Sequence, residues 1–283
     1  MRKIEGENVK IKIPLFDKVV LKRFYVFLTV ISTLLSIALI VINIDQKYKN
    51  LLAILGLISL VVVYLGTWVR ENYRDSIKIN INNSQLHIKV GDLFAETGLK
   101  VIGVNEYFDN IVDDKIISKS SLHGQYINCY YSDTEDLDRR IESDSHLREF
   151  RTERNEQRKL KKKQKYKLGS VFVDGEFLLT AFAKFDDNNR AYLYMNDYVN
   201  FLLNFWNEVD IIYSGRSVTI PLFGSGITRF KEYDHITDQE LLELLVWSFK
   251  LSRIKFKYPA KATIIIHKDK ASKINFTKLK EWE

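Results

Sequence analysis

The sequence is poor in the residues that build covalent cross-links and metal centres. One cysteine, Cys129, stands among 283 residues. That excludes an intramolecular disulfide framework and any multi-cysteine zinc or iron–sulfur site. Three prolines and twelve glycines exclude a collagen-like or Pro/Gly-rich low-complexity chain. The five histidines (His87, His123, His146, His235 and His267) are too scattered for a zinc motif. Neither a G-x-S-x-G elbow nor a G-x-x-x-x-G-K-[ST] loop occurs. No metal, cofactor or catalytic residue is therefore expected. His123 and His235, in glycine-bearing or polar turns, read as satisfied surface residues, and Cys129, within YINCYY, reads as a small core residue. Lys plus Arg is 43 against 36 for Asp plus Glu, a net charge of +7. Without a localised patch, that excess does not point to nucleic acid.

Charge is missing altogether from two stretches. Phe24 to Ile44 is 21 residues long and uncharged. At about 1.5 Å per helical residue it spans about 31 Å, enough for a bilayer core of about 30 Å. Leu51 to Val69 adds 19 uncharged residues after the polar turn DQKYKN. Tyr25, Tyr64 and Trp68 lie near the span ends, where amphipathic rings favour the headgroup zone. A secretory signal is shorter in its apolar part and ends at a small-residue cleavage site, which is missing here. The expectation is a transmembrane helical hairpin over residues 24–70. Arg2, Lys3, Lys10, Lys12, Lys18, Lys22 and Arg23 precede it, and Arg70 and Arg74 follow it. The turn carries only Lys47 and Lys49. This asymmetry places both termini in the cytoplasm, with residues 1–23 as a basic cytoplasmic segment of a multi-pass plasma-membrane protein.

Residues 75–283 are expected to form an α/β domain with a mixed central sheet. SIKININNSQLHIKVGD alternates around Asn82-Asn83, a hairpin signal. LKVIGVNEYFD (99–109) is an apolar run that enters a polar turn. Residues 169–185 read as two strands around Asp174-Gly175. Residues 192–209 have helical apolar spacing, and Asp238 to Leu251 is an amphipathic helix. SVTIPL (217–222) and KATIIIH (261–267) are further strands. Strands alternating with helices argue for a layered α/β domain. Residues 133–168 are dense in charge and lack glycine and proline, and they end in RKLKKKQKYK. They read as a solvated helical insertion. The functional alternative is a basic arm lying on anionic lipid, where each basic residue adds about 1 kcal/mol.

Three short stretches carry candidate ligand chemistry. Gly91-Asp92-Leu93 ends a strand, where a carboxylate can accept from an exocyclic amine. Ser121-Leu122-His123-Gly124 supplies hydroxyl and amide groups in a turn. PLFGSGITR (221–229) follows a buried strand, and its glycines let backbone N–H groups approach a phosphate. Each signal alone is weak, because a Gly-x-Gly turn is commonplace.

Together, in this order, these stretches resemble the macro domain, a module that binds ADP-ribose. Asp92 and Leu93 correspond to that family's strand-end Gly-Asp-Ile, whose Asp contacts adenine. Val104-Asn105 is similar to its Val-Asn, whose loop approaches the distal ribose. Ser121, Leu122, His123 and Gly124 resemble its first phosphate loop. Gly224, Ser225, Gly226, Ile227 and Thr228 resemble its second. The first loop lacks the family's run of three glycines. Asn105 is followed by Glu106-Tyr107-Phe108-Asp109 in place of Ala-Ala-Asn, so the distal-ribose end differs.

With its apolar hairpin, the chain looks like the membrane-anchored macro-domain effector of bacterial Thoeris antiphage systems. That resemblance implies a partner TIR-domain enzyme that makes a nucleotide signal from NAD. It implies an ADP-ribose conjugate as ligand, with histidine attached, and a hairpin that damages the membrane. Oligomers are implied as well, since two helices enclose no pore. Two alternatives stay open at this point: a membrane-tethered ADP-ribosyl hydrolase, and a constitutive scaffold or transporter subunit. The spans hold no ionisable residue to mark an ion path.

Overall fold

A computed structural model describes residues 11–160, 162–233, 235–252 and 254–282. Arg2, Lys3 and Lys10 of the basic segment, and Lys161 of the insertion, lie outside the described residues. The chain divides into two compact units.

The first unit holds the two apolar helices. α1 spans Lys18–Val41 and α2 spans Gln46–Asn72. Asp17 caps α1, its carboxylate accepting from the Val19 N–H at 2.8 Å and the Val20 N–H at 3.3 Å. Asp45 caps α2 through the Lys47 N–H at 3.2 Å. The most apolar 18-residue windows have mean hydropathies of 2.5 and 2.3, and both helices are long and apolar enough to cross a membrane. Their side chains face outward; Ile40 is 83% exposed and Val41 85%. Both helices extend past the uncharged stretches at their basic ends. There the buried Glu71 carboxylate pairs with Arg23 and Arg74 and accepts from the Thr277 hydroxyl at 2.8 Å. Asn72 accepts from the Lys12 and Ile13 amides at 2.9 and 3.1 Å. Residues Ser272–Glu281 group with this unit.

The second unit is the α/β domain. β1 (Ser76–Ile81) and β2 (Ser84–Val90) form the expected hairpin. Asn82 and Asn83 turn it at φ 52° and 63°, as a two-residue turn of this hand requires. Ile77, Ile79 and Ile81 are buried while Lys78 and Asn80 are exposed, so the alternation is that of a strand with one wet face. The sheet continues through β11 (Ala262–Ile266), β9 (Val218–Pro221), β3 (Leu99–Asn105), β7 (Phe177–Phe185), β8 (Ala191–Tyr194) and β10 (Arg229–Lys231). β6 (Val171–Asp174) pairs antiparallel with β7. β2, β11, β9, β3 and β7 run parallel to one another. β9 and β11 are buried along their whole length, which is why they read as continuous apolar runs.

α6 (Met195–Ile212) and α7 (Asp238–Leu251) cover the sheet. Thr237 and Glu240 form a capping box that fixes the start of α7. Phe201, Phe205, Trp206, Phe223 and Phe249 fill the core, and Trp206 donates to the Ser248 hydroxyl at 2.9 Å.

The charged insertion departs from its reading. Its first half is helical, as α4 (Glu135–Ser143) and α5 (Ser145–Arg148). Its second half is a two-stranded ribbon, β4 (Arg151–Arg154) with β5 (Gln164–Tyr166). The insertion is also not a freely solvated arm. Leu137, Ile141 and Leu147 are buried in one cluster with Tyr126, Phe177 and Leu179. The Tyr166 amide donates to the Glu106 carbonyl at 2.8 Å. Pairing between such distant segments leaves no trace in a local window of sequence.

Candidate functional site

Four parallel strands, β2, β11, β9 and β3, end at one edge of the sheet. Asp92 follows β2, the glycine turn follows β9, and Asn105 closes β3. α3 (Leu122–Tyr130), a helix absent from the sequence reading, begins at the Ser121 cap. In an open α/β sheet the carboxyl ends of the strands are where ligands bind.

The candidate residues take different parts there. Asp92 is exposed, and its carboxylate accepts from the Phe94 amide at 3.0 Å, which leaves its second oxygen available at the surface. Leu93 is 2% exposed and packs into the core, so only its backbone can serve a ligand. Leu122 is half-buried against the same cluster. Asn105 is buried, and its side-chain oxygen accepts from the Tyr107 and Asp109 amides at 2.9 and 3.4 Å. It therefore shapes the loop that follows β3. The Ser121 hydroxyl accepts from the Gly124 amide at 3.0 Å and donates to the Ser118 carbonyl at 2.7 Å.

His123 corrects the sequence reading. It is 5% exposed, not a surface residue, because the second position of α3 turns inward. Burial, aided by Lys162, lowers its pKa to about 3, so the ring is neutral. Asn110 donates to Asp138 at 2.7 Å, which turns its amide oxygen toward His123 Nε2 at 3.3 Å. Nε2 then carries the ring proton. Cys129 is also corrected: it is exposed on α3, not in the core.

The glycines separate by what surrounds them. A side chain at Gly124 would place its Cβ 2.1 Å from the Ser118 carbonyl oxygen. Gly224 has φ +82°, and a Cβ there would stand 2.8 Å from the Phe230 ring. Both glycines serve backbone packing. Gly226 has nothing within 4 Å of its Cβ position, and Ile227 beside it is 69% exposed. The Ser225 hydroxyl folds back to the Leu222 carbonyl at 2.9 Å, and Thr228 is half-buried. Gly226 and Ile227 are the exposed positions of this turn.

One feature of the site had only a single sequence signal, the replacement of Ala-Ala-Asn after Asn105. Glu106, next in the chain, lines a polar cavity of about 680 Å³ with Lys165, Lys184, Asp197 and Asn200. Lys184 pairs with Asp197 at 2.8 Å, and Lys165 lies 3.8 Å from Glu106. Burial pushes the Glu106 carboxyl above its usual range, opposed by Lys165 and the Phe185 amide. The cavity thus presents carboxylates and ammonium groups together. Among the described residues, no cluster of three or more His, Cys, Asp or Glu side chains is placed to hold a metal.

A mixed sheet with these loops at its carboxyl edge defines a macro-type domain. Solved macrodomains of Oceanobacillus iheyensis align with it. A mutant with ADPR is 13% identical and covers 73% of this chain and 97% of its own, with a TM-score of 0.47. The same protein with ADP is 14% identical and covers 73% and 94%, with a TM-score of 0.45. Residues 86–267 match the family model for the macro domain of Thoeris protein ThsA. Thoeris protein ThsA of Bacillus amyloliquefaciens (strain Y2) is 40% identical over 286 residues, covering 99% of this chain and 95% of that protein. The chain belongs to the Thoeris ThsA family.

Proposed function

We propose that the chain is a nucleotide-signal receptor joined to a membrane effector in antiphage defence. Its macro domain binds an ADP-ribose-derived signal made by a partner TIR enzyme and performs no catalysis itself. The observation that carries this reading is the convergence of Asp92, Asn105, the Ser121–Gly124 segment and the Gly226 turn on one sheet edge of a ThsA-family domain. Asp92 receives the adenine amine, and the open amides around Gly226 receive the diphosphate. The group attached to the distal ribose, a histidine in this reading, lies toward Glu106. The mixed charges of the neighbouring cavity support an amino-acid substituent, which carries both signs.

The helical hairpin lies in the plasma membrane with both termini cytoplasmic. Ligand binding gathers hairpins into an oligomer that breaches the bilayer and halts the infected cell. Calorimetry on the full chain in detergent, with ADP-ribose and its histidine conjugate, tests the receptor. Tighter binding of the conjugate, without turnover, is the expected result. Release of free ADP-ribose would establish a hydrolase instead. Deletion of α1 and α2 should abolish phage-triggered death in cells that hold the TIR partner. Persisting death would exclude the membrane effector.

A further inference from the structure

We propose that the second half of the charged insertion is an intramolecular strap that sets the geometry of both the loop after β3 and the start of α3. The proposal builds on the site reading above, in which these two segments face the nucleotide. The loop Asn105–Asn110 is buried at every position, and Phe108 sits at φ +53°. A bulky residue in the left-handed region costs roughly 1–3 kcal/mol and persists only where its surroundings over-determine it.

The surroundings that do so come from the insertion. Arg158 grips Asp109 with both nitrogens, at 2.9 and 2.6 Å, and these side chains are only 7% and 2% exposed. The Arg158 guanidinium also lies 3.7 Å from the centre of the Tyr107 ring. Lys162 donates to the Phe108 carbonyl and pairs with Asp138 at 2.5 Å. Asn155 donates to the Tyr107 hydroxyl at 3.2 Å. Every residue of the loop from 106 to 109 is therefore held by the ribbon through main chain or side chain.

The ties continue into the other segment. Asp138, held by Lys162, accepts from Asn110, and the Asn110 amide oxygen in turn accepts from the Nε2–H of His123 in the first turn of α3. A partly buried polar relay, Lys162–Asp138–Asn110–His123, thus connects the strap to the Ser121–Gly124 segment. A two-pronged guanidinium–carboxylate pair fixes direction as well as distance, so lysine cannot replace Arg158 in full. Arg158 is a positioning residue. It reaches the ligand only through the loop.

Hydrogen exchange of the full chain in detergent, without nucleotide, tests the strap directly. Arg158→Ala should speed exchange of the amides 107–110 by about tenfold, and Arg158→Lys by less. Lys162→Met should speed exchange at both 107–110 and 122–125. A parallel titration with ADP-ribose should show about tenfold weaker binding for Arg158→Ala, partly rescued in Arg158→Lys. Unchanged exchange at 107–110 in Arg158→Ala would overturn the strap. Acceleration by Lys162→Met confined to 107–110 would overturn the relay. If wild-type protein fails to bind ADP-ribose, the nucleotide reading falls while the exchange result still decides the strap. If Arg158→Ala does not fold, Lys162→Met and Arg158→Lys carry the same comparison.

Discussion

The loops that follow the neighbouring strands β3 and β9 are opposites. After β3, residues 105–110 are buried and bound to a distant part of the chain by charge. After β9, residues 224–229 are half-buried or exposed, and Ser225 bonds back to Leu222. The first is a wall set in advance of any ligand. The second is an exposed turn, the one proposed to receive an anion. Substitutions should therefore fail for different reasons in the two places, and at Gly224 and Gly226 for different reasons within one turn.

The sharpest test of that difference is the pair Gly224→Glu and Gly226→Glu. At Gly226 the new carboxylate enters open space beside the proposed phosphates. Affinity for ADP-ribose should fall by about a hundredfold or more while the melting temperature holds. At Gly224 the same change meets Phe230 and Leu241 and a positive φ, so stability should fall by about 3 kcal/mol. Equal stability of the two variants in a denaturant titration would erase the distinction.

In the buried loop, Asn105→Ala leaves the Tyr107 and Asp109 amides without their acceptor. A loss of about 2–3 kcal/mol follows if both amides stay dry. A change below about 0.5 kcal/mol would mean the loop is not held as described.

His123 gives the wall a pH signature. Its folded pKa is near 3, below the ordinary 6.5, so the unfolded chain binds the extra proton. Stability from this group is present above pH 6.5 and is lost as pH falls toward the folded value. Between pH 7 and 5 that loss is about 2 kcal/mol. His123→Gln should flatten this part of the stability–pH curve, and parallel curves for the two proteins would contradict a buried neutral ring.

The smallest effect is expected at exposed Asp92. Asp92→Ala should weaken ADP-ribose binding about tenfold, the value of one charge-assisted bond, without touching stability. Unchanged affinity would reject Asp92 as the adenine partner.

Local rules made much of the fold legible. Asn82-Asn83 turns its hairpin, alternating isoleucines mark β1, and the Thr237–Glu240 box starts α7 within a residue of expectation. Uncharged length alone exposed both helices of the hairpin. The candidate site was legible only in outline. Strand ends placed its loops, but burial sorted their side chains. Leu93 and His123 face inward because of what packs over them. The Arg158–Asp109 grip joins residues 49 apart in sequence, and nothing in RKLKKKQKYK foretells a partner.

Residues Ser272–Glu281 bear on how the protein should be cut for the bench. A soluble fragment made by removing everything before Ser76 would keep Ile274, Phe276 and Leu279, buried side chains that belong to the hairpin unit. It would also strand Thr277 without Glu71. Such a fragment ends in a greasy tail and should self-associate on a sizing column. A fragment from Ser76 to Ala271 leaves that tail behind and retains every candidate ligand contact from Asp92 to Thr228, so it is the better reagent for crystals and titrations.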